Sequence, residues 1–430
     1  MSYQEIINIR AIKEYKMIQT LKGIKVVDMT IAGAGPTGGR ILAEYGADVI
    51  LIEPVTGVNS RLWHGVDWMQ GDKRCLAVNL KDPEGMEAVK KLLKQADVFI
   101  SSYRLKALKK LGLDWDSLHA LNDKLVMGLI TGYGTRGPIK DEPGYDTMGF
   151  WAMSGLAHTV QDRDGLPIVL PGGVGDYSAG RSLALGIINA LYHRERTGEA
   201  IFVTTSLLAE GIFCNYDAII EGQYGTQYPR SRKAPRHSTL NTYRCKDGWV
   251  SLLILKFEPD FWNIMRAIGR EDLVGDPRWK KFSDTDEAGA PEIVEILDEG
   301  FAKMTMKEAE KTFASYGIAC RPIQSVYDVV HDEQALANEY LIPHVQYDGK
   351  EIMLPTSPIR YGDDKPVEHF GCVHHIGEDT VDILHELGYP DDQINAMFAR
   401  NAISDIDIKF TDGMSDADIQ EALKNSRKRV

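Results

Sequence analysis

The chain has 430 residues, 43% of them hydrophobic and 26% charged, which is enough for two domains and a large core. A diffuse net charge of −13 argues against a nucleic-acid partner and gives no reason to expect a membrane surface. No apolar stretch reaches the roughly 20 residues needed to span a bilayer, and the first residues lack the apolar core of a signal peptide. The cysteines (Cys75, Cys214, Cys245, Cys320 and Cys372) are odd in number and scattered, so neither a disulfide framework nor a zinc site is expected and a reducing cytoplasm is the natural setting. The adjacent pair His374 and His375 has no cysteine or carboxylate at ligand spacing, and no metal site is expected there.

Residues 1–20 read as an N-terminal extension. The run from Leu21 to Met29 suits a buried parallel strand. It leads through Ala32-Gly33-Ala34-Gly35-Pro36 into a helix from Thr37 to Tyr45, with Pro36 at its first position, and then a strand from Ala47 to Glu53. The pattern repeats: a strand at Cys75–Leu80, a helix at Pro83–Gln95, a strand at Asp97–Ser101, a helix from Lys106 and a strand at Leu125–Ile130. Strands alternating with helices predict an α/β fold with a doubly wound, Rossmann-like parallel sheet. The glycine turn after the first strand is not a clean G-x-G-x-x-G, so no nicotinamide cofactor is read from it.

Farther along stands one carboxylate in a glycine-rich setting, Pro171-Gly172-Gly173-Val174-Gly175-Asp176, followed by a small-residue apolar run that reads as a buried helix from Ser182 to Leu191. Glycines allow tight turns and close approach to a ligand. By itself Asp176 fits either the N-cap of that helix or a nucleophile at its mouth.

The composition changes near 226–240, where a basic, proline-containing stretch reads as a linker or a ligand-facing loop. A hairpin follows, Asn241–Cys245 and Trp249–Ile254 around Lys246-Asp247-Gly248. Helices dominate from there to Tyr340, giving a smaller α+β domain, and the acidic stretch 284–287 reads as a solvated loop. A sheet-like segment at 351–361, a helix at Asp379–Gly388 and a charged tail from 402 close the chain. The domain reading is therefore 1–225 and 346–430 for the large domain, 226–240 for the linker and 241–345 for the small domain.

Several segments, in this order and spacing, resemble the class III CoA-transferases, which include formyl-CoA, carnitine, bile-acid and (R)-2-hydroxyacyl CoA-transferases, with α-methylacyl-CoA racemase a relative. They include Leu21–Asp28, Ala34-Gly35-Pro36, Leu42–Ile50, Gly132-Tyr133-Gly134, Pro143-Gly144-Tyr145-Asp146, Gly175-Asp176, Arg196-Thr197-Gly198, Gly317–Ile323 and Leu387-Gly388-Tyr389. The resemblance implies an interlocked homodimer, no permanently bound cofactor, and coenzyme A esters and free carboxylic acids as substrates. It makes Asp176 the nucleophile of anhydride and aspartyl-CoA intermediates and puts Asp146 beside it. Backbone amides of Ile31, Ala32 and Gly33 become oxyanion donors. Arg61, Lys73, Arg74, Tyr103, Lys110 and Tyr145 become the residues that meet coenzyme A. The version Ser102-Tyr103-Arg104-Leu105-Lys106 is closer to the 2-hydroxyacyl and aryl-lactate transferases than to the common Asn-Phe-Arg-Pro-Gly pattern, and the formyl-transferase run of glycines has no counterpart. The expected acid is a 2-hydroxy acid with its enoate, a bile acid being the runner-up. A racemase would need a histidine where Tyr145 stands, and a non-catalytic nucleotide-binding protein would leave Asp176 without a purpose.

Overall fold

A computed structural model describes residues 19–58, 61, 66–163, 165–166, 168, 170–345, 350–361, 375–406 and 421. The N-terminal extension, but for its last two residues, and the tail beyond 406, but for residue 421, lie outside the described residues. So do Cys372 and His374.

The described residues among 1–156, 170–216 and 333–430 make one compact unit, and those among 157–169 and 217–332 make a second. In the first unit, β1 (Lys25–Met29), β2 (Asp48–Glu53), β3 (Arg74–Val78), β4 (Val98–Ser101), β5 (Val126–Thr131) and β6 (Phe202–Ser206) lie parallel. The order across the sheet is β12-β3-β2-β1-β4-β5-β6, seven strands among the described residues. The edge strand β12 (Ile403–Ser404) pairs antiparallel with β3, in a stretch expected to be tail.

Helices cover both faces of this sheet because both faces of its strands are apolar. In β1, Val27 and Met29 pack into a core with Val89 and Leu93 of α2 (Pro83–Gln95). Its neighbour Val26 faces the other way, into a core with Leu42 of α1 (Ala34–Glu44) and with Leu183 and Ile187 of α3 (Val174–Thr197). Such two-sided burial is what a continuous β-branched run encodes. Helix α1 starts three residues before the expected position, leaving Pro36 third in it. The missing N–H costs nothing there, since the first four amides of a helix have no intrahelical acceptor.

Helix α3 is not buried all round, as the apolar run suggested. Leu183, Ala184, Ile187 and Ala190 are buried while Leu185, Ile188 and Tyr192 face solvent, the two sets alternating at helical spacing. A hairpin of β10 (Leu341–Val345) and β11 (Glu351–Pro355) also belongs to this unit.

The second unit carries an antiparallel sheet of the expected hairpin, β7 (Leu240–Arg244) and β8 (Trp249–Leu253), plus β9 (Ala319–Pro322). Strand β9 lies where helices were expected to dominate; four residues with one buried side chain give little periodicity to read. The acidic stretch is not a solvated loop. It forms a short helical turn, Thr285 and Asp286 are buried, and the Asp286 carboxylate meets His237 Nδ1 at 2.7 Å.

Candidate active site

The carboxyl ends of β1, β4 and β5 open onto one edge of the sheet, where crevices of open α/β folds bind ligands. Glycines press two helices together there. A Cβ on Gly180 would stand 2.6 Å from the Ala34 carbonyl oxygen, and one on Gly38 would stand 2.9 Å from Leu183 Cδ2. Helices α1 and α3 therefore cross closely, which sets the turn after β1 against the first turn of α3.

Asp176 sits in that first turn. The N-cap is Gly173, with φ of +87°, a left-handed backbone that favours glycine. Asp176 is the third helical residue and makes no capping bond, so its N-cap reading fails. The cap comes from elsewhere: Asp146 Oδ2 accepts the amides of Gly175 at 2.7 Å and Asp176 at 3.0 Å. The Asp146 Oδ1 atom is buried and has no hydrogen-bond partner among the described residues. The π-helical turn Thr147–Ala152 follows, and its Phe150 fills the space beside Gly175, where a Cβ would collide with the ring.

Asp176 is half-buried, and its carboxylate lies against Gly33, where any Cβ would collide with Oδ2. Among the described residues no cation pairs with it. Burial, reinforced by the negative charge of Asp146, pushes its pKa up to about 6. The carboxylate is thus mostly ionised at neutral pH yet poorly solvated, which suits a nucleophile.

Of the expected oxyanion donors, the Ile31 amide already donates to Ser102 Oγ at 2.9 Å. Ala32 adopts φ of +65°, strained for a residue with a Cβ. The amides of Ala32 and Gly33 make no hydrogen bond among the described residues. Tyr145 is exposed beside Asp146, and Tyr103, two residues past β4, is half-buried with its phenol pKa raised by burial.

The basic residues are placed otherwise. Arg61 is buried, its guanidinium donating from Nε and Nη2 to Glu53 at 2.8 and 2.6 Å. Lys73 is wholly buried and donates to Asp28 Oδ2 at 2.8 Å, to the Pro36 carbonyl and to Gln70. These two cations neutralise carboxylates inside the β1–β3 flank, so neither is presented to a solvent-borne phosphate. Arg74 opens β3 at the opposite edge of the sheet and pairs with Asp48 and Glu386. Lys110 is exposed on the helix Leu105–Leu111. The sequence showed basic residues near strands but not which carboxylates would claim them.

Other residues were not singled out. Ser178 and Ser182 each donate to Glu210 at 2.7 Å, tying α3 to α4 (Leu207–Cys214) just behind Asp176. Their i, i+4 spacing was visible in the sequence. Tyr177 follows Asp176 and meets Trp68 edge-on, with ring centroids 4.6 Å apart.

Residues 21–380 match CoA-transferase family III. The chain belongs to that family. The family III CoA-transferase is 31% identical over 389 residues to the (R)-2-hydroxy-4-methylpentanoate CoA-transferase of Clostridioides difficile, covering 87% of this chain and 97% of that one. It is 32% identical over 392 residues to the cinnamoyl-CoA:phenyllactate CoA-transferase of Clostridium sporogenes, covering 87% and 95%. A CAIB/BAIF family protein from Brucella suis has the same fold, with a TM-score of 0.73 and 26% identity over 85% of this chain and 99% of that one. This family III CoA-transferase is an enzyme that uses acyl-CoA thioesters and carboxylates.

Proposed function

We propose that this enzyme moves CoA from an acyl-CoA thioester to a free 2-hydroxy acid or its enoate through covalent intermediates on Asp176. An Asp176 oxygen attacks the thioester carbonyl, the C–S bond breaks, and CoA leaves as the thiolate from a mixed anhydride. The thiolate then attacks the aspartyl carbonyl of that anhydride, releasing the donor acid as a carboxylate and leaving an aspartyl-CoA thioester. The acceptor carboxylate displaces the thiolate to form a second anhydride. Attack of the thiolate on its acyl carbonyl gives the new acyl-CoA and restores Asp176. Every attacking group is an anion, so no general base is required.

The observation that carries this reading is the half-buried Asp176 carboxylate, packed on Gly33 with no cation among the described residues to neutralise it and a pKa raised to about 6. The unengaged amides of Ala32 and Gly33 are suited to tetrahedral oxyanions. The names of the two relatives support the substrate class: one acts on (R)-2-hydroxy-4-methylpentanoate, the other on phenyllactate and cinnamoyl-CoA. Within this proposal Asp146 is a positioning residue that caps the helix and raises the pKa of Asp176. Tyr103 and Tyr145 remain for CoA, whereas Arg61 and Lys73 serve buried carboxylates and Arg74 is held by Asp48 and Glu386.

The working form is proposed to be a cytoplasmic homodimer. Leu185, Ile188 and Tyr192 of α3 and Ile212 and Phe213 of α4 are large apolar side chains left facing solvent, which fits an interface. Among the described residues no helix is long and apolar enough to cross a membrane. A matrix of CoA donors against free acids, read by mass spectrometry, tests the function. Transfer to 2-hydroxy acids supports it, and transfer to no acid would refute it.

A further inference from the structure

The side chains around Asp176 are unusual for a solvent-facing edge. Ile31, Tyr145, Met148, Val174 and Tyr177 are all large and apolar, and all are between 40 and 58% exposed. Each belongs to the turn after β1, the Asp146 turn or the first turn of α3, the three segments that converge on the carboxylate. Contiguous exposed apolar surface such as this collar commonly marks a binding site.

One aromatic ring in it, that of Tyr177, is fixed from behind. The Tyr177 ring lies over Gly173, where a Cβ would stand 2.8 Å from Cζ. Trp68 packs against Tyr177 with the planes inclined at 63°, an edge-to-face contact. The Arg40 guanidinium lies 4.4 Å from the centre of the Trp68 ring. Arg40 is itself buried and bonded to Glu44 at 2.8 Å. Trp68 also packs against Ile342 and Leu354 of the β10–β11 hairpin. A buried ion pair and a hairpin thus hold a tryptophan, and the tryptophan holds a tyrosine next to the nucleophile.

We propose that Tyr177 and Trp68 form an aromatic wall that selects acids bearing an aryl or branched aliphatic side chain. This rests on the reading of Asp176 as nucleophile. The carbon that Asp176 attacks carries the acyl side chain directly, so that chain must lie within a few bonds of the collar. The adenine of CoA is many bonds farther along the thioester. A phenyl or isobutyl group covers the exposed ring face and leaves water. A methyl group is too short to gain from it, so lactate bypasses the wall.

The test compares wild type with Tyr177→Ala, Tyr177→Phe and Trp68→Ala, using 3-phenyllactate and lactate. Calorimetry reads binding of each acid, and mass spectrometry reads transfer from one common donor. Tyr177→Ala is expected to weaken phenyllactate binding and raise its KM about ten-fold, the scale of one lost aromatic pair, and to leave lactate within two-fold. Tyr177→Phe should stay near wild type. Trp68→Ala should follow Tyr177→Ala; if it fails to fold, the Tyr177 pair decides. Equal losses for both acids, or none, would overturn the wall while leaving the transferase standing. Wall-dependent binding of phenyllactate without transfer to any acid would keep the wall and sink the transferase reading. A Tyr177→Ala protein that changed its oligomeric state and kept its selectivity would assign the collar to a subunit contact and overturn the proposal.

Discussion

Two regions of the first unit bury carboxylates, and they treat them in opposite ways. In the β1–β3 flank, Asp28 has Lys73 and Glu53 has Arg61, each pair at less than 3 Å and each almost wholly buried. Further donors complete them: Thr30 for Asp28, and Cys75 and the Gly377 amide for Glu53. At the carboxyl edge, Asp176 and Asp146 have no cation among the described residues, and they repel one another. A buried charge is tolerated when paired and hydrogen-bonded. Leaving one unpaired costs stability, a cost that the proposed nucleophilic role of Asp176 would explain.

That contrast can be broken at both ends. The largest effect is expected from Asp176→Ala: transfer should fall to at most a few per cent while the protein stays folded, as turnover assays and circular dichroism would read. Substituting the paired cations should do the reverse. Arg61→Ala or Lys73→Ala strands a buried carboxylate and should cost about 3–5 kcal/mol of stability in denaturant titrations, with the KM for CoA esters unchanged in the protein that remains folded. A selective loss of CoA affinity would return these residues to the site. Next, Asp146→Ala removes a helix cap and should cost about 0.5–2 kcal/mol.

Asp146→Asn keeps an acceptor oxygen but removes the charge, so it should lower the pKa of Asp176 and slide the pH–rate profile to lower pH. In wild type the rate should rise with pH through about 6 as Asp176 ionises. A further effect concerns stability. Because the folded-state pKa of Asp176 lies above its ordinary 3.8, ionisation is harder in the folded chain. The resulting penalty is absent below pH 4, grows between 4 and 6 and is complete above 6. Asp176→Asn should therefore raise Tm at pH 7 and lose that gain near pH 4. A gain independent of pH would mean that the carboxylate is not strained by its setting.

The alternation of strands and helices, the Pro83–Gln95 helix and the 241–254 hairpin were legible because their periodicities are local. Short strands such as β9 and β12 were not, since pairing partners far along the chain define them. At the site, Asp176, Asp146 and the turn around Gly33 could be read from glycine spacing and from resemblance. The roles of Arg61 and Lys73 could not, because whether a cation faces water or a buried carboxylate depends on which strands become neighbours. Trp68 gave no signal for the same reason: its partners Tyr177, Arg40 and Ile342 are brought together only by the fold.

The central claim is that the unpaired carboxylate becomes covalently attached to CoA. Hydroxylamine cleaves such a thioester, breaking the C–S bond, releasing CoA thiol and leaving an aspartyl hydroxamate. Incubation with an acyl-CoA and hydroxylamine, followed by peptide mass spectrometry, should yield the hydroxamate on Asp176 together with loss of activity that depends on the acyl-CoA. An unmodified Asp176 in inactivated protein, or a hydroxamate on another carboxylate, would contradict the account.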